Sequence, residues 1–429
     1  MACKLLEDVL ARGRSLEQSL READASARKL PSSDRAFAVA IVLATLRRLG
    51  EIDALLAVYL RKEPPVRVRN ILRIGVTQLL FLKTPAHAVV HVAVEQTAEN
   101  IKTKPLRSLV NAVLRNCIRE GESRLGGPDS PVCNVPAPLL KSWQQAYGIE
   151  QTGKIAEAHC SEPPLDLQFR NRNEGTLWCE KFAGVLLPTG AVRLRESRNV
   201  PQLEGYAQGA WWVQDVAANL PVRLLGNVSG ERVIELCAAP GGKSAQLCAY
   251  GAKVVAVDRS GARLDVLRDN LKRLRLQADE IIEADVLAWK PEAPARFVLL
   301  DAPCSATGTL RRHPDVVRRK GREWGSDGKY LTRLAALQEK LLARAGGMVE
   351  KGGVLVYSVC SLQREESEER IDVFLREHPD FTRETIDAGC LDGLEECVSS
   401  KGDLRTLPCH LEAFGGMDGF YAARLRRHG

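Results

Sequence analysis

Several common signatures are missing from this chain of 429 residues, and each absence narrows its chemistry. No Cys-x-x-Cys pair occurs among its 12 cysteines, which are scattered without a regular framework. That spacing argues against a zinc ribbon or a disulfide scaffold and fits free thiols in a reducing compartment. The gaps between Cys390, Cys397, Cys409 and His410 match no standard zinc site, so no metal is expected. The longest near-continuous apolar run, AFAVAIVLATL at 36–46, is too short to span a bilayer. The opening MACKLLEDVL carries Glu7 and Asp8 and lacks the basic-then-apolar layout of a secretion signal. The G-x-G-x-x-G turn of nicotinamide enzymes and the phosphate-binding P-loop are absent, as are internal repeats and low-complexity tracts. What remains is 45% hydrophobic and 27% charged. Such a chain is expected to be soluble and cytoplasmic, with two or three domains and no membrane contact.

The net charge of +7 is unevenly placed. Residues 1–125 hold 21 Lys and Arg against 13 Asp and Glu, whereas the remaining 304 hold 40 against 41. The excess basicity of the first third predicts a polyanionic partner there, unless it is only a solvated helical face.

Organisation follows from punctuation and period. Up to about residue 120 the pattern is helical, with segments such as SSDRAFAVAIVLATLRRLG and PLRSLVNAVLRNCIREG separated by Pro or Gly turns. His87 and His91 share a helical face without a third ligand, and read as ordinary surface or core histidines. GGPDSPVCNVPAPLL at 126–140 reads as a linker. It is followed by the short helix KSWQQAYG and a modest α/β region containing LDLQFR, GAVRLRES and WWVQDVAANL. Trp178, Trp211, Trp212, Arg170 and Arg172 could stack on bases there, although packing suits the tryptophans better. From about 230, the short apolar strands RVIELCA, KVVAVD, RFVLLDA and GGVLVYSVC alternate with helical stretches. This predicts an open parallel sheet covered by helices on both faces.

Ligands of such sheets sit beyond the carboxyl ends of the strands, so the residues placed there carry the chemistry. The first strand ends in CAAPGGK, where Ala238, Ala239, Gly241 and Gly242 let a ligand approach the backbone at a helix N-terminus. The second ends in Asp258, placed to accept from ribose hydroxyls, and the third reaches Asp285, where an adenine amino group could be held. The fourth carries Asp301-Ala-Pro-Cys304-Ser, and the fifth ends in Ser-Val-Cys360-Ser. Two thiols at one sheet edge suggest covalent catalysis with two roles.

CAAPGGK, VVAVD, LLDAPCSATGTLRRHPD and YSVCS together closely resemble the S-adenosylmethionine-dependent RNA cytosine-5 methyltransferases, in particular the Sun or Fmu type that acts on 16S ribosomal RNA. SLVNAVLRN is similar to the NusB-like helical domain of that type, and DGFYAARLRR to its closing strand. The resemblance implies a helical NusB-like RNA-binding domain over 1–125, a linker and small α/β subdomain over 126–205, and a Rossmann-like class I methyltransferase domain over 206–429. It implies S-adenosylmethionine as cofactor, held by Cys237, Ala238, Ala239, Pro240, Gly241, Gly242, Lys243, Asp258, Asp285 and Asp301. Cys360 would attack carbon 6 of cytosine, Cys304 would assist release, Asp301 would stabilise the activated base, and Lys243 would orient Asp301 or the cofactor carboxylate. The implied target is a loop cytosine of 16S ribosomal RNA, at about position 967 of that RNA's own count. Unassembled or partly assembled small ribosomal subunits would be the partner, met by a monomer. The same chemistry on transfer RNA or large-subunit RNA, and a non-catalytic assembly factor, are the alternatives. The basic run at 311–322 predicts a phosphate clamp through Arg311, Arg312, His313, Arg318, Arg319 and Lys320. The loop after HPD is several residues longer than the family's usual one, with Trp324 in its course.

Overall fold

The computed structural model describes residues 1–27, 30–126, 130–195, 199–319 and 329–429. The chain forms two compact units. The first comprises Met1–Glu162 together with the segment that begins at Leu310, and the second holds the rest.

The first unit is helical, and prolines punctuate it. Ser32–Arg47, Val66–Val76, Ala86–Ala98 and Ala137–Cys160 each begin directly after a proline: Pro31, Pro65, Pro85 and Pro136. A proline there needs no N–H partner, and its ring fixes the approach of the chain. Ile52, Leu56, Ile71, Leu72, Val110 and Leu114 close one buried cluster, and Leu5, Leu6, Val42 and Leu46 another. The helix expected over KSWQQAYG continues to Cys160. Gly148, at φ 80°, bends the chain there without ending the helical run. That helix belongs with the first unit, which therefore extends beyond the expected boundary at 125. His87 and His91 are exposed on Ala86–Ala98. Among the described residues no helix is long and apolar enough to cross a membrane.

The second unit contains two sheets. The smaller is antiparallel, built from β1 (Leu165–Gln168), β2 (Val185–Leu186), β3 (Val192–Leu194) and β4 (Trp212–Val213) in the order β2-β3-β1-β4. Trp211 and Trp212 are buried, so packing is their role, whereas Trp178 is half-buried against Phe182.

The larger sheet contains β5 (Arg232–Leu236), β6 (Lys253–Asp258), β7 (Glu280–Glu283), β8 (Ala295–Asp301), β9 (Val349–Val359), β10 (Phe381–Glu384), β11 (Leu404–Thr406) and β12 (Phe420–Arg427). Its order is β10-β12-β9-β8-β5-β6-β7, with β11 also on β12. β5 to β9 are parallel, as expected, but β12 runs antiparallel to β9, and β10 and β11 run antiparallel to β12. Alternate residues serve opposite faces. Val233, Phe297 and Leu299 join one core, while Ile234, Val298 and Leu300 join the other. Burial on both faces explains the uninterrupted apolar strands in the sequence. The chain leaves β5 for β6 and β7 on one side, then returns to place β8 on the other. This reversal opens a crevice at the carboxyl ends of β5 and β8.

Candidate active site

Register brings the predicted residues to that crevice. Leu236 lies opposite Val257 on β6 and Leu300 on β8, so the next residue of each strand, Cys237, Asp258 and Asp301, falls in one row. Burial, with Asp258 and Asp301 nearby, pushes the Cys237 thiol up to about 12 and keeps it protonated. Both Cys237 (φ 60°) and Ala306 (φ 58°) adopt the left-handed backbone region without being glycine. Such conformations cost roughly 1 kcal/mol or more and persist where surrounding contacts hold them.

The 237–242 turn wraps tightly. Gly241 takes φ 100°, and a Cβ on it would meet Leu267 at 2.6 Å, so only glycine fits. Asp258 is buried, and its two carboxylate oxygens accept the Ala239 N–H at 3.1 Å and the Ser260 N–H at 3.0 Å. It therefore braces the turn as well as facing the crevice. Asp285 is exposed just past β7, where its carboxylate accepts the Leu287 N–H at 2.9 Å. The helix Gly242–Ala249 starts here, and a Cβ on Gly242 would have only Gln214 Nε2 near it, at 4.0 Å. Open space at a helix N-terminus, a small-residue turn and carboxylates at successive strand ends fit a nucleoside that carries an amino-acid tail.

Asp301 has defined partners. Lys243 Nζ pairs with its Oδ2 at 2.7 Å, and Ser358 Oγ donates to its Oδ1 at 2.8 Å. Of the two sequence readings for Lys243, this geometry supports the one in which it orients Asp301. Lys243 Nζ also lies 5.2 Å from the Phe420 ring centroid, a cation–π distance.

The Pro-Cys and Val-Cys-Ser loops meet although 56 residues separate their cysteines. Cys304 Sγ and Cys360 Sγ are 3.4 Å apart, and both residues are half-buried. The contact with Cys360, then burial, raises the Cys304 thiol well above its ordinary range. The two thiols are within hydrogen-bonding reach, and either sulfur can be the donor.

Sequence reasoning missed the carboxylate behind this pair. Glu366 is fully buried. Its Oε1 accepts the Ser305 N–H at 2.9 Å and Gln338 Nε2 at 3.0 Å. Its Oε2 accepts from Ser305 Oγ and, at 2.5 Å, from Ser361 Oγ. Further ties join the same loops: Gly308 N–H donates to Cys360 O at 3.0 Å, and Leu362 N–H to Thr307 Oγ1 at 2.9 Å. Gly308 also touches backbone, since a Cβ there would come within 1.9 Å of Gly419 O. The only sequence signal was a run of glutamates after Cys-Ser, which resembles a solvated helix start.

The predicted phosphate clamp needs correction at two positions. In the first unit, Arg311 is buried, and Arg318 commits its guanidinium to Asn134 O at 2.7 Å and Leu46 O at 3.4 Å. Burial lowers Arg318 to about 10. The Arg318 side chain ties the 310–319 segment into that unit. Arg312 and Arg319 are half-buried, with Arg319 Nε 3.3 Å from Asp315, and His313 is exposed. Lys320 and Trp324 lie outside the described residues. In the second unit, Cys397 Sγ lies 3.3 Å from His410 Nδ1, and Glu396 completes a cluster spanning 4.8 Å. The Leu407 N–H already occupies that ring nitrogen at 3.2 Å, and burial pushes Cys397 up to about 12. This is a thiol–imidazole contact with poor donors for a cation.

Comparison with known proteins identifies the family. Residues 222–426 match the family described as 16S rRNA methyltransferase RsmB/F, and residues 1–119 match the NusB family. The ribosomal RNA small subunit methyltransferase B of Pseudomonas putida is 34% identical over 99% of this chain and 97% of its own. Its Klebsiella pneumoniae counterpart is 34% identical over 89% of this chain and 90% of its own. Among solved structures, PH0851 superposes with a TM-score of 0.73 at 21% identity, covering 99% of this chain and 98% of that one, which supports the same fold. The chain thus belongs to the 16S rRNA methyltransferase RsmB/F family, joined to a NusB-family domain, and is an S-adenosylmethionine-dependent rRNA methyltransferase.

Proposed function

We propose that this enzyme methylates carbon 5 of a cytosine in 16S ribosomal RNA through a transient bond between Cys360 and carbon 6 of the base. The contact of the Cys304 and Cys360 sulfurs at 3.4 Å, beside Asp301 at the strand ends, carries this reading. S-adenosylmethionine, held by the turn Cys237 to Lys243 with Asp258 and Asp285, would supply an electrophilic methyl group.

The protein's own residues would do the rest. Carbon 5 of cytosine is a weak nucleophile. The Cys360 thiolate adds to carbon 6, and the displaced ring electrons make carbon 5 enamine-like. Asp301, fixed by Lys243 and Ser358, hydrogen-bonds the ring edge and stabilises that electron shift. Carbon 5 takes the methyl group and then loses its proton to water. The electrons left behind restore the double bond and break the bond from carbon 6 to sulfur. Cys304 Sγ, in contact with the departing Cys360 sulfur, donates a proton to it as it leaves. The target base must leave its stack to reach two half-buried thiols.

RNA binding would draw on the helical unit. Lys102, Lys104, Arg107, Arg115 and Arg119 are exposed along the turn and helix at 102–119, where Arg115 and Arg119 bond Asn111 and Asn116. Bisulfite sequencing of ribosomal RNA from cells with and without the gene tests the substrate. One 16S cytosine should lose protection when the gene is absent. Protection lost only in transfer RNA or large-subunit RNA, or nowhere, would overturn the proposal.

A further inference from the structure

The two thiols lie on separate loops, and the parallel pairing of β8 and β9 ends short of them. β8 ends at Asp301 and β9 at Val359, so both cysteines sit beyond the ladder. Ties beyond the ladder join the loops, the Gly308 N–H to Cys360 O bond among them, and Glu366 is a buried side chain that reaches both. It takes two hydrogen bonds from Ser305, the residue after Cys304, and one from Ser361, the residue after Cys360. Its fourth partner, Gln338 on Lys329–Gly346, also donates to Pro303 O at 2.9 Å, just before Cys304. The Glu366 backbone is itself anchored, because Tyr357 Oη donates to its carbonyl at 2.7 Å.

We infer that Glu366 is a positioning residue that locks the Pro-Cys and Val-Cys-Ser loops into the register in which Cys304 and Cys360 touch. The carboxylate gathers two obligate N–H donors on Oε1 and two serine hydroxyls on Oε2. A glutamine can keep this pattern by accepting the N–H donors and donating to the hydroxyls, which also accept, whereas alanine removes every tie. The left-handed Ala306, two residues past Cys304, needs such over-determination to persist. Glu366 touches neither the turn at 237–242 nor Asp258 among its hydrogen-bond partners. Its loss should therefore spare the cofactor side of the crevice.

The role of the two cysteines rests on the proposed function, but their proximity does not, and the test separates the two. Dibromobimane bridges neighbouring thiols, and peptide mass spectrometry reports which cysteines it joins. In the folded full-length protein it should link Cys304 to Cys360. Glu366→Ala should lower that link at least fivefold while S-adenosylmethionine affinity stays within twofold of the parent. The turnover number should fall at least tenfold with little change in KM for the cofactor. Should Glu366→Ala fail to fold, Ser305→Ala and Ser361→Ala remove one tie each and two together. Each should then lower the link, and the double variant more so. An undiminished link in folded variants would overturn the inference, as would cofactor affinity falling in parallel with the link. Failure of Cys304→Ala to accumulate protein–RNA adduct would instead count against the cysteine roles, and leaves the link measurement to decide on Glu366.

Discussion

Glu235 faces the interior of the main sheet, where burial raises its carboxyl from 4.5 to about 8 and Ser244 Oγ donates to it at 2.5 Å. The folded chain keeps this proton through a range in which the unfolded chain has released it. The unfolded state then binds fewer protons, so stability falls as pH rises from about 4.5 to about 8. Glu235→Gln keeps the bond from Ser244 and removes the titration. Its Tm should fall less between pH 5 and pH 8 than the parent's, by roughly several degrees in thermal melts. Equal slopes would contradict the burial argument. The placement of Cys304, Cys360 and Asp301 at one sheet edge was legible because a strand end is visible in sequence. Roles set by three-dimensional neighbours were not. Arg311 and Arg318 looked like free cations because a charge run shows no burial, and Glu366 looked like a solvated acid for the same reason.

Among the elements, the parallel strands announced themselves through apolar runs of ordinary strand length. The antiparallel extension was harder, since β10 and β11 are short and polar residues such as Arg383 and Arg405 interrupt them. Only β12 was recognisable, by its likeness to the family's closing strand. The small sheet hides a stronger constraint. Arg193 on β3 and Asp166 on β1 form a fully buried bidentate pair. Arg193 also donates to Phe414 O at 3.1 Å and Gly416 O at 2.5 Å, while Asp166 accepts the Val216 N–H at 3.0 Å. Arg193→Met leaves a buried carboxylate without its cation and should cost about 3–5 kcal/mol, read from urea unfolding midpoints. Pairing it with Asp166→Leu should recover part of that loss. A single variant within about 0.5 kcal/mol of the parent would show that the pair is dispensable.

For the whole molecule, the concentration of basic residues in the first third matches a helical unit with an exposed basic face. Arg107→Ala, Arg115→Ala and Arg119→Ala together should weaken RNA binding without base preference. The slope of log affinity against log salt should drop by about 2 to 3, with first-turnover chemistry preserved at saturating RNA. An unchanged slope would move RNA binding elsewhere. The central claim concerns the division of labour between two touching thiols. Its most direct measurement is denaturing electrophoresis of Cys304→Ala and of Cys304→Ala/Cys360→Ala after incubation with S-adenosylmethionine and ribosomal RNA. The account predicts a slowly migrating protein–RNA adduct with Cys304→Ala and none with the double variant. An adduct that survives without Cys360, or one that depends on Cys304 instead, would contradict it.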